Sequence, residues 1–505
     1  MDNIRDLDLL VASHQPIIAI ESPEEERVRG VVEGLAARQD LPLFEWKATR
    51  GLLRIGTHDP IYETESPAHA LKTAAGMVTE ALYLFHDLDK YFEDPAILRL
   101  LRDIGETFNQ DRRTLILCAP EITLPPDLHA CTAQVRLDLP GLQELKQLTV
   151  RTLRDLGAPT RIKVELSLPE IEQLVAALRG LTLLEAQRVL MRAALDDLKL
   201  DRSDFQHILD QKKALIAQDG VLDLFPPETT LQQIGGLENL KDWLRKRGAA
   251  YSAEAARFGL EPPRGVLLLG VQGCGKSLCA KAVASEWGLA LLRLDAGALY
   301  DKYVGESEKN LKRALSTAEA MAPCILWIDE IEKGMSGRDG SASDGGLSRR
   351  ILGSFLSWLQ DRRQPVFVAA TANDIEALPP ELLRKGRFDE IFFVDLPGDA
   401  ARRAILAVHL ARRKQDPGRF DLAALSAAAA GFSGAEIEAA IVSALYAAYA
   451  EKRPLATAHL LGALGAAVPL SRTCREQIET LRAWARGRTV PADSPEAGRA
   501  APNAA

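Results

Sequence analysis

The chain has 505 residues, 47% of them hydrophobic and 26% charged, with a net charge of −8 and six cysteines. That length calls for about two to four domains, and the balance is that of an ordinary globular protein. No apolar run reaches the ~18 residues of a membrane helix. The acidic balance removes the electrostatic reason to expect nucleic acid, and six cysteines without a C-x-x-C pair make neither a disulfide framework nor a zinc site.

The N-terminus, MDNIRDLDLLVASHQP, carries acids where a signal peptide is basic, so the cytoplasm is the expected location. Residues 17–20, 82–85, 114–118 and 135–139 read as strands separated by helical patterns. That alternation indicates βαβ units and a parallel sheet. The stretch after the first strand, SPEEERVRGVVEGLAARQ, opens an acid-led helix. Glu24, Glu25 and Glu26 stand there, a placement that repels anions. His86, Asp87 and Asp89 close the second strand, but carboxylates and a histidine at a strand end are commonplace and do not by themselves make a metal site. From Leu142 to Lys213 the pattern is helical.

Residues 214–233 read as a turn-rich connector with Pro226 and Pro227. A helix then runs to about Phe258. Val266 to Leu269 form a buried strand, followed by Gly270-Val-Gln-Gly-Cys-Gly-Lys-Ser277 and a helix. Strand, G-x-x-x-x-G-K-S loop and helix in that order make a phosphate-binding loop. Gly270, Gly273 and Gly275 let the backbone curl its N–H groups toward phosphate oxygens, Lys276 reaches the β- and γ-phosphates, and Ser277 can hold Mg²⁺. Cys274 and Cys279 beside the loop read as small buried thiols.

Further on, Lys302-Tyr303-Val304-Gly305 exposes an aromatic beside a glycine. CILWIDEIEK at 324–333 is a strand ending in two acids. Asp329 suits the Mg²⁺ shell, and Glu330 can polarise a water. A glycine- and serine-rich loop at 334–346 precedes a helix with Phe355 and Trp358. PVFVAATAN ends on Asn373, an amide able to orient water. LPPELLRKGRFDE places Arg384 and Arg387 three apart, and an arginine on a γ-phosphate is worth ~10³–10⁵ in rate. Residues 399–450 are alanine-rich and helical, a further helix spans 472–486, and the tail from 488 lacks the apolar content to fold.

The two halves resemble each other. LYLFHDLDK at 82–90 sets against ILWIDEIEK at 325–333, ITLPPDL at 122–128 against EALPPEL at 376–382, VRLDLPG at 135–141 against FFVDLPG at 392–398, and GLTLLEA at 180–186 against GFSGAEI at 431–437. Four collinear matches indicate an internal duplication whose first copy has lost the phosphate chemistry.

With the lead-in IGGLENLK, the loop, KYVGESE, ILWIDE, Asn373, LLRKGRFD and GFSGAEI, residues 228–450 resemble the AAA family of ATPases. GVQGCGKSLCAKAVASEW and AEAMAPCILWIDEIEK are similar to a narrower group, the AAA proteins named as hypothetical chloroplast open reading frames, of plastids, cyanobacteria and other bacteria. The resemblance implies an α/β fold: a P-loop NTPase parallel sheet flanked by helices, with a small α-helical lid. Before it stands a degenerate ATPase-like α/β domain with its own helical lid. The implied boundaries are 1–140 and 141–213 for the degenerate domain and its lid, 214–233 for the linker, 234–398 for the ATPase domain, 399–487 for the second lid and C-terminal helix, and 488–505 for a disordered tail. Ile234, Gly235 and the loop from Gly270 through Val271, Gln272, Gly273, Cys274, Gly275, Lys276 and Ser277 to Leu278 would contact ATP. Lys276, Asp329, Glu330, Asn373, Arg384 and Arg387 would be catalytic, with the arginines entering a neighbour's site. Ser277 and Asp329 would hold Mg²⁺. Lys302, Tyr303 and Val304 would grip a protein client in the pore of a ring, expected to be a homohexamer, in the cytoplasm or in the stroma of a plastid. A nucleotide-controlled scaffold is the alternative expectation. A nucleic-acid loader or helicase is disfavoured by the charge.

Overall fold

The computed structural model describes residues 2–157, 163–196, 198–217, 220–226, 229–299, 306–335, 347–384 and 386–493. The chain divides into two compact units, 1–208 and 209–505.

The first unit is built on β1 (Ile17–Glu21), β2 (Leu43–Lys47), β3 (Gly51–Arg54), β4 (Leu82–His86), β5 (Thr114–Ala119) and β6 (Thr132–Arg136), in the sheet order β3-β2-β4-β5-β1-β6. All pairings are parallel except β2 with β3. Central strands such as TLILCA are buried at every position, and apolar at all but the first, because helices cover both faces of a parallel sheet. Successive residues feed opposite cores: Ile17, Ala19, Leu115 and Leu117 one, and Ile18, Ile20, Ile116 and Cys118 the other. The helices Leu142–Gly157, Leu168–Ala177 and Leu183–Asp196 follow with the short pair β7 (Lys163–Val164) and β8 (Lys199–Leu200), and the helix Asp204–Ile216 runs through the boundary at residue 208.

The second unit holds β9 (Leu222–Phe225), β10 (Gly265–Gly270), β11 (Ala290–Leu294), β12 (Cys324–Ile328), β13 (Val366–Ala372), β14 (Glu390–Val394) and β15 (Val490–Pro491), in the order β15-β14-β10-β13-β12-β11-β9. Its five central strands, β14-β10-β13-β12-β11, repeat the order β6-β1-β5-β4-β2 of the first unit. The four sequence matches fall on equivalent elements of the two units. They are the ends of β4 and β12, the 3₁₀ turns Pro126–Leu128 and Pro380–Leu383, the ends of β6 and β14, and the starts of the helices Leu183–Asp196 and Gly434–Ala450. The last two helices even begin alike. Thr182 and Ser433 each accept from and donate to a glutamate three residues on, Glu185 and Glu436. A separate apolar cluster of Leu406, Leu410, Phe432, Ile437, Ile441 and Leu464 holds the lid helices together.

The structure corrects the sequence reading in four places. The fourth strand of the first half is Thr132–Arg136 rather than 135–139, and β2 and β3 add two strands that the sequence reading lacks. The stretch read as a connector carries β9, whose Leu222 and Leu224 pair antiparallel with Leu294 and Leu292. The stretch read as a tail begins in ordered structure: Ala492 is buried, donates to the Phe393 carbonyl at 2.9 Å and accepts from Leu240 N–H at 3.1 Å. Backbone pairing fixes that segment where its composition could not. Residues 494–505 and the glycine-rich segment 336–346 lie outside the described residues. Among the described residues no helix is long and apolar enough to cross a membrane.

Candidate functional site

The site lies at the carboxyl ends of the second unit's parallel strands, where α/β sheets bind ligands. β10 ends at Gly270, at φ 148°, where a Cβ would stand 2.0 Å from the Val394 carbonyl oxygen. Only glycine permits that approach. Val271 N–H donates to the same carbonyl at 2.9 Å, tying the loop to β14. Gly273 and Gly275 follow at φ 75° and 91°. The helix Lys276–Trp287 then opens with its first N–H groups lacking intrahelical partners, a cradle for an anion.

Lys276 is buried and donates to the carbonyls of Gly270 and Val271, both at 2.8 Å. Burial pushes its ammonium down to about 8. A cation taken out of water with only carbonyl partners is the group that an incoming phosphate would relieve. Ser277 Oγ donates to Asp329 Oδ1 at 2.7 Å, joining the helix start to the end of β12.

Thr371 on β13 was not found in the sequence, and it organises this end of the sheet. The register of β12 on β13 pairs Ile328 with Ala370, so Asp329 and Thr371 come next and face each other. Thr371 Oγ1 donates to Asp329 Oδ1 at 2.6 Å and accepts from Glu330 N–H at 3.0 Å. One hydroxyl thus fixes the side chain of one acid and the backbone of the next. Glu330 sits at φ 49°, a left-handed conformation uncommon for a residue with a Cβ. Asn373 Nδ2 donates to Glu330 Oε1 at 2.9 Å, and Lys333 Nζ lies 2.5 Å from Oε2. The Asn373 backbone N–H donates to Glu332, whose carboxyl is pushed up by its burial.

A cavity of about 310 Å³ collects these groups. Of the expected nucleotide contacts, Ile234, Gly235, Gln272, Gly273, Cys274, Gly275, Lys276, Ser277 and Leu278 line it, as do Asp329, Glu330 and Asn373. Gly270 and Val271 do not; they hold the loop and accept from Lys276. Gly235 is a close approach to the lid, since a Cβ there would stand 2.6 Å from Ile405 N. Burial pushes the Cys274 thiol up to about 12, and Cys279 has no exposed surface, so neither is a reactive thiolate.

The lid supplies residues that the sequence reading lacks. Ile405, Val408, His409, Ala435 and Glu438 line the cavity, and Ala435 N–H donates to the Gly273 carbonyl at 3.0 Å. His409 is pushed down by burial although Glu438 lies 3.4 Å from it, and Arg413 pairs with that glutamate at 2.8 Å. Arg384 and Arg387 do not line the cavity. Arg384 is exposed, and Arg387 donates to the Leu356 carbonyl. Lys302, Tyr303 and Val304 lie outside the described residues.

ATP and Mg²⁺ fit this donor set. Left-handed glycines form the cradle, a buried lysine has only loop carbonyls for partners, and a hydroxyl and a carboxylate meet at a strand end. A hard cation takes such oxygens.

The first unit fills the equivalent place with different side chains. Glu25 opens the helix Glu25–Gln39 as Lys276 opens its own, and His86 ends β4 where Asp329 follows β12. Glu25 lies 3.7 Å from His86 Nδ1 and 2.9 Å from Lys47 Nζ, while His86 Nε2 meets Glu45 Oε1 at 2.9 Å. Glu24 accepts from the backbone N–H of Leu183, at the start of the lid helix. These acids therefore act as internal partners, in addition to opposing an anion. Asp87 keeps the left-handed backbone of Glu330, at φ 52°, without its chemistry.

Comparison with known proteins agrees with this architecture. Residues 266–396 match the ATPase family associated with various cellular activities (AAA). Residues 3–137 match the N-terminal domain, and 143–219 the second domain, of SpoVK-like AAA ATPases. The chain is 37% identical over 491 residues to the "Uncharacterized AAA domain-containing protein ycf46" of Guillardia theta, covering 96% of this chain and 95% of that one. It is 36% identical over 489 residues to the protein of the same name from Pyropia yezoensis, covering 96% and 98%. With relatives named as AAA domain-containing proteins at 36–37% identity over nearly the whole chain, and the AAA match lying on the unit that carries the phosphate loop and the paired acids, the chain belongs to the AAA family of ATPases.

Proposed function

We propose that the second unit hydrolyses ATP, that the chain works as a ring, and that hydrolysis drives the remodelling or unfolding of a protein client. The observation that carries the hydrolytic reading is the Asn373 amide on Glu330, one residue from the Asp329–Ser277 contact. Glu330 is the base that accepts the proton of the attacking water, and Asn373 orients carboxylate and water together. Lys276 leaves its loop carbonyls for the phosphates. Magnesium would neutralise phosphate charge, with Ser277 and Asp329 as the residues that hold it. The ring reading is supported by Arg384, which is exposed and absent from the cavity of its own chain, with Arg387 three residues on also outside that cavity. The client reading rests on Tyr303 in its glycine-bearing loop.

The test is Glu330→Gln in the full chain. Turnover should be abolished while binding of a fluorescent ATP analogue survives, and the variant held in ATP should retain a client that the wild type releases. A Glu330→Gln protein that hydrolyses ATP like the wild type would end this assignment.

A further inference from the structure

In the first unit, the loop before the helix Pro67–Gly76 displays a tyrosine. Tyr62 is 86% exposed, although a tyrosine ring carries ~150–250 Å² that folding ordinarily buries. The display is not slack chain. Ile61 N–H donates to the Leu52 carbonyl at 2.8 Å, and Thr64 Oγ1 donates to the Ile61 carbonyl at 2.6 Å and accepts from Leu52 N–H at 2.8 Å. Trp46 Nε1 donates to the Thr64 carbonyl at 2.7 Å. Tyr62 is thus held outward between two anchored neighbours, and Glu63 beside it takes φ 58°. A single exposed aromatic needs no explanation by itself. Its place in the chain gives it one.

Tyr62-Glu-Thr-Glu65-Ser66 matches Tyr303-Val-Gly-Glu306-Ser307, tyrosine, glutamate and serine at the same spacing. In chain order each stretch leads into the helix that precedes a central strand, Pro67–Gly76 before β4 and Glu306–Ala320 before β12. The first unit has replaced the lysine and the acid of its phosphate site by Glu25 and His86, yet it retains the aromatic of this loop. Along the chain the exposed charges flanking Tyr62 are Asp59, Glu63 and Glu65, and the first cation before them is Arg54 at the end of β3.

We infer that Tyr62 is a second client-gripping residue, and that its loop binds an extended polypeptide segment carrying basic and apolar side chains. The inference rests on the remodelling reading proposed above. The ring stacks on an apolar side chain of the segment, and the three carboxylates favour its cations. The ATP-independent first unit would then contribute grip without chemistry.

The experiment measures binding of a fluorescein-labelled, unstructured peptide rich in lysine and leucine to the full chain with a non-hydrolysable ATP analogue. Wild type, Tyr62→Ala, Tyr62→Phe and Tyr303→Ala are compared, with melting temperature as the folding control. Tyr62→Ala should weaken binding about tenfold, as expected for truncating one aromatic anchor, and Tyr62→Phe should stay within about twofold of wild type. Wild-type affinity in Tyr62→Ala, with Tyr303→Ala weakened, would overturn this inference and leave the remodelling reading standing. A wild-type chain that binds no such peptide would overturn both.

Discussion

The Thr371 hydroxyl donates to Asp329 Oδ1 at 2.6 Å, across neighbouring strands. Because it also accepts from Glu330 N–H, Thr371→Val should act on both acids at once. The isosteric valine leaves a part-buried N–H unpaired, at a cost of about 1–3 kcal/mol in stability. It also frees Asp329 and Glu330 to shift, so kcat should fall about tenfold or more. Steady-state phosphate release with thermal melts checks this; Thr371→Ser should recover most of the loss. Wild-type turnover in Thr371→Val would show that the hydroxyl does not position the acids.

Nucleotide affinity should depend on pH through Lys276. Its folded value of about 8 lies below the ordinary lysine range because of burial, and a bound phosphate would raise it. Below pH 8 the side chain is already charged and affinity should be flat. Above pH 8 binding must take up a proton, so affinity should fall by up to about tenfold per pH unit. The phosphates are fully ionised there and do not contribute to the slope. Titration of a fluorescent ATP analogue from pH 7.5 to 9.5, with a thermal melt at each pH as the folding control, measures it. A flat profile would mean that Lys276 is not proton-poor in the free protein.

The first unit should bind no nucleotide. Glu25 and His86 occupy its counterpart of the phosphate site, and Glu24 is engaged with Leu183 N–H. Calorimetry on the full chain should give one ATP per chain, and Lys276→Ala should leave none. Residual saturable binding in Lys276→Ala would contradict the closed first site.

Arg384 and Arg387 should act on a neighbour. A chain with both changed to alanine, and a Glu330→Gln chain, should each be inactive alone. Mixed, they should recover part of the turnover, because an intact base then meets intact arginines across some interfaces. No recovery after verified subunit exchange would remove the arginines from the neighbour's site.

The phosphate loop and the paired acids are legible in the sequence because each is a run of adjacent residues whose backbone needs are local. Gly270, Gly273 and Gly275 declare their φ values by being glycine. Thr371 is not legible, since its role comes from the register of β12 on β13 and an alanine-rich strand hides one hydroxyl. His409 and Glu438 belong to lid helices whose pattern announces only packing. β2 escapes because Glu45 and Lys47 interrupt its apolar pattern. Glu45 nevertheless lies buried against His86, a pairing that only the fold reveals. β15 is two residues, the second a proline, held by β14 and by the bond of Leu240 to the following Ala492 rather than by its own composition.

The central claim is that one working ATP site per chain becomes complete on assembly. Phosphate release per chain, measured over a range of protein concentration with the oligomer mass followed in parallel, tests it most directly. Turnover should rise with the assembled fraction and saturate when assembly is complete. A fully active dispersed chain, or an assembled one without turnover, would contradict it.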